Sequence, residues 1–440
     1  MAVLPDTPEI ERLREQCEAV KIPTESRLLI VVSSHSTAVF AGAVLARCAL
    51  RSGHQVHVTF KEPFLRPEEI DNTMASHEDY MPIFVGITGV WTNGTPEDVS
   101  NAVFVGGLLP DEHTVTIGSS DILVPAASVF AEKHFTLEQP DLVTITAGIT
   151  DLSGTRPSGV EAAILELAAD ADIVRAQKEF LLYGANFLPV RDCLQFSIRP
   201  YLHGVTGDKE SCDELLEEAD LPLSLRLTPL TQLGADEKQR VMSSLIPRID
   251  VKTLPAVAGP NFEFLTESET SPMRWASNIQ VLAATAWSRG RPGIALGVWM
   301  GDRARLLNLL MDDHMRHCTA VASAVQDAFH TLNETPPYAD GPVASMPLPV
   351  PDAGVLPEVG RILLSEPLTD TQYLILRNGN STCVCWHAAS FEHLETTMVA
   401  LWDRGLSPRS TSLSSLVLES SSDWAAVVEV LKDIPGDEAT

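Results

Sequence analysis

Between Arg27 and Phe60 the chain reads RLLIVVSSHSTAVFAGAVLARCALRSGHQVHVTF. Residues 28–32, LLIVV, are a continuous apolar run, as a strand covered on both faces requires. Thr37–Arg51 is Ala-rich with helical spacing, and Gly53 stands where a helix C-cap needs a left-handed residue. Val56, Val58 and Phe60 then alternate with polar residues as a second strand does. In a strand–turn–helix–strand unit the chemistry usually sits in the first turn. Here that turn, SSHSTAVF (33–40), carries a His and four hydroxyls but no carboxylate.

The pattern continues outward. Short apolar runs at Ile83–Ile87, Ala102–Val105 and Val115–Ile117 predict strands, and Ile122–His134 and Glu161–Tyr183 predict helices. Alternating strands and helices imply an α/β fold with a parallel, doubly wound sheet over residues 27–200. Residues 1–26 form an N-terminal segment with a short amphipathic helix at Glu9–Val20. Residues 201–275 read as a helical connecting region, with helices at Lys209–Ala219 and Asp236–Leu245. A smaller α/β domain is expected over 276–435. Its elements are helices at Ser277–Trp287 and Asp302–Leu332, an exposed Pro-rich segment before Gly354, strands at Tyr373–Leu376 and Thr382–Trp386, a helix at Phe391–Arg404, a strand near Leu413–Leu418 and a helix at Asp423–Lys432.

The 440 residues carry 31 basic and 59 acidic side chains, a formal net charge of -28. Such a chain lacks the clustered Lys and Arg that a broad phosphate-binding face needs. Seven Cys, an odd number with no C-x-x-C spacing, give little support to a zinc or thioredoxin-like site and suit a reducing, cytoplasmic setting. Cys383, Cys385 and Trp386 read as strand packing. No apolar run approaches the roughly 20 residues that span a bilayer.

Other clusters carry weaker signals. DDHMRH (312–317) sets Asp313 and His317 one helical turn apart beside His314, a spacing that metals use, but a solvated helix face is the better reading. DEH (111–113) reads as a polar turn. GDR (301–303) reads as a helix start capped by Asp302. SLSSLVLESSSD has hydroxyls but no nucleophile elbow, and no Gly-rich nucleotide signature occurs.

Two stretches carry a resemblance. The strand, S-H-x-x-x turn, apolar helix and following strand resemble the start of the DHH phosphoesterase superfamily, in particular its archaeal RecJ-type nucleases, which include the GINS-associated nuclease. LLYGANFLPVRDCLQFSIRPYLHGVTGDKESCDELLEEADL (181–221) is similar to a second, longer family segment. The resemblance covers most of Arg27–Asp236 and, more weakly, Arg291–Lys432, which resembles the family's DHHA1 domain. It implies a DHH-type domain, a connecting region and a DHHA1-like domain.

The resemblance also implies a two-metal site, usually Mn²⁺ or Mg²⁺, held by Asp and His. This chain departs from that pattern. Thr37 and Val39 stand at the two Asp positions of the first motif, and Phe40 at its Gly. Gly86 stands at the Asp of the second, and Gly106, Gly107 and Leu108 stand where the third has Asp-His-His. Asp151 in AGITD remains, as does His35. The nucleic-acid loop of the DHHA1 domain would fall near GLSPRSTSLSSL (405–416), which lacks the Gly-Gly-Gly-His signature. One Asp cannot hold two hard dications against water, so no metal and no catalytic residue are expected, and Asp151 reads as a helix cap or turn residue.

The family has a precedent for such loss. A RecJ-like protein without nuclease activity joins GINS and the MCM ring in the eukaryotic CMG helicase. The resemblance therefore implies a scaffold of DNA replication or repair with GINS or other replisome partners. Two alternatives remain: an active single-strand-specific exonuclease or phosphoesterase using Mn or Mg, and a module that binds a nucleotide or single-stranded oligonucleotide without cleaving it. Membrane association is not implied.

Overall fold

The computed structural model describes residues 2–90, 102–107, 115–150, 157–249, 251–365, 371–387, 389–419 and 424–434. They divide into two compact units, residues 1–283 with 292–311, and residues 284–291 with 312–440. The division between Ala283 and Ala284 falls inside the helix Ala276–Ser288, whose first residue is the expected boundary at 276.

The first unit is built on five parallel strands: β1 (Arg27–Ser33), β2 (Gln55–Lys61), β4 (Met81–Val85), β6 (Val103–Val105) and β7 (Val115–Ile117). Their order is β2-β1-β4-β6-β7, and every pairing is parallel. Two dipeptides, β3 (Phe64–Leu65) and β5 (Thr88–Gly89), form a separate short parallel pair. β1 is buried from Leu28 onward, as its unbroken apolar run requires. The helix Ser36–Arg51 lies close on it because Gly42 has no side chain; a Cβ there would meet Val32 Cγ2 at 2.6 Å. On one face of the sheet Phe84 and Phe104 stack at 4.7 Å within a cluster that includes Leu29, Val31 and Ile70. The buried carboxylate of Asp141 ties two helices together: Arg47 and Arg51 bind it at 2.6 and 2.8 Å.

The predicted helix over Glu161–Tyr183 is two elements. A helix spans Gly159–Asp170, Asp172 takes a left-handed φ of 54°, and β8 (Val174–Phe180) follows. β8 pairs antiparallel with β9 (Ala258–Phe264), a strand placed in the region read as helical. Periodicity misled here because β8 is mostly exposed and carries no apolar alternation. Helices at Lys209–Glu218 and Ala235–Leu245 bury a core of their own that runs from Phe180 to Val257 and includes Leu194, Leu202, Cys212 and Val241. This core crosses the expected boundary at residue 200.

The second unit holds a mixed sheet of β10 (Tyr338–Asp340), β11 (Val343–Pro347), β12 (Tyr373–Asn378), β13 (Ser381–Trp386), β14 (Pro408–Ser412) and β15 (Ser415–Glu419). The order is β10-β11-β12-β13-β15-β14, with only β11 and β12 parallel. The Pro-rich segment read as exposed contributes β10 and β11, and Val343–Met346 are buried. Pro342 precedes β11 and Pro347 is its last residue, so the prolines sit at the end of the ladder, where a missing N–H does least harm. The helix Leu356–Leu364 meets β13 at Gly360, where a Cβ would lie 2.3 Å from Cys385 Sγ. No described helix is long and apolar enough to cross a membrane.

Candidate functional site

In an open parallel sheet, ligands lie beyond the carboxyl ends of the strands. Three chain segments meet there: the turn after β1, Gly86 after β4, and Gly106 after β6. Gly86 N–H donates to Val105 O (2.9 Å) and Gly106 N–H to Ile117 O (2.8 Å), so each glycine extends its ladder by one bond. Both have φ of 64°, the left-handed region that favours glycine.

Space, as well as backbone, requires glycine at these positions. A Cβ on Gly106 would lie 2.2 Å from Leu123 Cδ1, and one on Gly86 would lie 2.9 Å from both Leu123 Cδ2 and Ala38 Cβ. Gly107 is tighter still, since a Cβ would sit 1.9 Å from Ile87 O. Leu123, at the start of the helix Leu123–His134, thus fills the volume into which side chains from 86 and 106 would project. Sequence reading missed it, because it sits in an ordinary apolar helix start. The signal was available only as an apolar pair, Ile122–Leu123, directly after Asp121.

The first turn is equally closed. His35 caps the helix Ser36–Arg51, its Nδ1 accepting from Ala38 N–H at 2.9 Å. Burial pushes its imidazole down to about 3, so at neutral pH it is an uncharged capping acceptor. Val39 is buried and Thr37 half-buried. Phe40 stands where the family motif has Gly, but its ring does not fill the turn. It stacks instead on Trp299 at 4.8 Å, and Gly148 makes room for it, since a Cβ there would meet Phe40 Cβ at 2.8 Å. Leu108 and Asp151 lie outside the described residues, as does the DEH run.

A pair of hard dications needs carboxylate oxygens. Positions 37, 39, 86 and 106 supply one hydroxyl among them, and hydrocarbon fills the space between. These residues do not fit a Mn²⁺ or Mg²⁺ pair. Among the described residues no three His, Cys, Asp or Glu side chains come together as a metal cluster.

The other sequence candidates resolve as structure. DDHMRH is not a solvated face: Asp313, His314 and His317 are all buried. Asp313 is ion-paired to Arg291 at 3.2 Å, with Arg316 at 3.8 Å and Arg289 at 3.9 Å. His314 Nδ1 lies 2.8 Å from Thr285 Oγ1. Asp302 does cap its helix, accepting from Ala304 and Leu306 N–H at 2.9 and 3.0 Å. Residues 412–419 of the Ser-rich stretch belong to the β14–β15 hairpin, whose hydroxyls bond one another, Thr411 to Ser415 at 2.8 Å.

Residues 182–258 match the sequence model of the DHH-CID domain, which covers the separate core below β8 and β9. Among solved structures, the chain is similar to CDC45 from Entamoeba histolytica, with a TM-score of 0.60, 10% identity and 96% of each chain covered. The chain has the RecJ-like DHH fold and carries a DHH-CID domain. It is also similar to RecJ from Thermus thermophilus in complex with Mn²⁺, with a TM-score of 0.51 and 11% identity. That match covers 99% of this chain but 56% of the RecJ chain, so this protein spans about half of RecJ's length. No curated protein matches the sequence. Within the RecJ-like DHH fold, Gly86 and Gly106 lie at strand ends, the location where open α/β sheets carry their chemistry.

Proposed function

We propose that this chain is a catalytically inactive RecJ-like DHH protein that serves as a scaffold in DNA replication or repair, with GINS- and MCM-type partners. One observation carries the reading: Leu123 occupies the space that ligand side chains at 86 and 106 would need. A site that had lost only its ligands would be an open polar cleft. This one is repacked with hydrocarbon, as the core of a protein kept for its shape is repacked.

The likeness to CDC45 over 96% of both chains supports the scaffold half of the proposal. A net charge of -28 favours a protein partner with a basic face over a nucleic-acid backbone. Two measurements test the reading. Single-stranded DNA and RNA incubated with the purified chain and Mn²⁺ should remain intact, and GINS and MCM subunits should co-purify with the tagged chain from its native host. Hydrolysis that is abolished by Asp151→Asn would replace the scaffold with an enzyme. Oligonucleotide binding without hydrolysis and without those subunits would replace it with a binding module.

A further inference from the structure

β2 is an edge strand of the parallel sheet, and His57 lies exposed at its centre. His77 stands beside it, in the turn that follows the helix Pro67–Ala75. The two imidazole centroids are 5.0 Å apart, with planes inclined at 36°. Tyr80 packs edge-on against both rings, at 6.2 Å from His57 and 5.8 Å from His77, and so limits their rotation.

The tautomer of His77 follows from its partner. Its Nδ1 is 3.1 Å from the carbonyl oxygen of Thr73, which can only accept, so Nδ1 carries the proton. Nε2 of the neutral ring is then left with its lone pair. A backbone carbonyl holding the remote nitrogen of a ligand histidine is the usual support of a metal site, since it fixes the ring and raises its basicity. Thr73 is itself anchored through its hydroxyl to Glu69 O at 2.6 Å. Beyond the backbone ladder with β1, no hydrogen bond joins His57 to a described residue, so its ring is available.

We propose that His57 and His77 form a two-histidine site for a borderline transition-metal ion of the Zn²⁺ type. The ring separation supports a shared ion. With a metal–nitrogen bond of roughly 2.0–2.1 Å and about 1.1 Å more to the ring centre, each centroid lies about 3.2 Å from the ion. At a tetrahedral angle two such rings stand about 5.2 Å apart, close to the observed separation. An all-nitrogen pair selects Zn²⁺, Ni²⁺ or Cu²⁺ over Mg²⁺, Ca²⁺ and Mn²⁺, which favour oxygen. With two protein ligands the ion keeps two positions for water or for an incoming donor group. This site is separate from the closed positions at 86 and 106 and does not depend on the proposed function.

Isothermal titration of Zn²⁺ into the full chain at pH 7.5, in a buffer that does not bind the ion, tests the proposal. His57→Ala and His77→Ala should each weaken binding at least tenfold, and the double variant should bind no more weakly than either single one, because each removes the same chelate. His57→Gln and His77→Gln should behave alike, and Zn²⁺ should raise the Tm of the wild type but of none of the variants. Single variants that titrate like wild type, or losses that add in the double variant, overturn the shared site.

Discussion

Gly106→Ala is the sharpest test of the closed site, because the structure states what the new methyl would strike. Its Cβ would lie 2.2 Å from Leu123 Cδ1, 2.9 Å from Leu123 Cβ and 3.0 Å from Leu123 Cα. The left-handed backbone adds a cost of about 1–2 kcal/mol for any residue with a Cβ. Overpacking a well-filled site adds about 1–3 kcal/mol, so the substitution should destabilise by about 2–5 kcal/mol. Leu123→Ala alone should cost about 2–5 kcal/mol through its cavity. In the double variant the 2.2 Å overlap disappears while the 2.9 and 3.0 Å contacts remain. The double variant should therefore be more stable than the sum of the singles by about 1–3 kcal/mol, well above the ~0.5 kcal/mol within which independent sites add. Gly53→Ala is the control, with a φ of 89° and nothing within 4 Å of its Cβ. It should show the backbone cost and no coupling to Leu123. Urea unfolding of these variants, read at the transition that both single substitutions move, gives the cycle. Additivity at Gly106 would mean that Leu123 does not fill the site, and the case for a repacked, inactive centre would lose its foundation.

Three further outcomes follow from the same geometry. His35 is unprotonated when folded down to about 3, whereas the unfolded imidazole charges below its ordinary 6.5. Its contribution is therefore complete above that value and lost as pH falls toward the folded one, by about 2 kcal/mol at pH 5. His35→Asn keeps a capping acceptor and should lower the pH-dependence of stability between pH 8 and 5 by that amount; an unchanged slope would contradict a buried neutral cap. Phe40→Ala should cost about 3–5 kcal/mol, since the ring is buried against Trp299, and should confer no Mn²⁺-dependent hydrolysis. Asp141→Ala should cost about 3–5 kcal/mol by leaving the Arg47 and Arg51 charges without their shared carboxylate, measurable as a fall in Tm; a shift of less than about 1 kcal/mol would make this a surface-type pair.

The central strand, the first helix and the second strand were legible from residues 27–60 because burial on both faces and helical spacing leave periodic marks in the sequence. The residue types at 37, 39, 86 and 106 were legible too, since residue type needs no coordinates. β8 was not, because an exposed ribbon carries no apolar period, and its pairing partner lies more than 75 residues away in a stretch that reads as helix. The burial of Asp313, His314 and His317 was hidden for the opposite reason: polar residues on a helix announce a solvated face, and only the tertiary structure brings Arg289 and Arg291 to Asp313 and Thr285 to His314. The sequence could say that positions 37, 39, 86 and 106 carry no carboxylate. It could not say what packs around them, because Leu123 reaches Gly86 and Gly106 only once parallel pairing has set the ends of β4 and β6 side by side. Residue type is local information, whereas the filling of space is decided where distant segments compete for the same few ångströms.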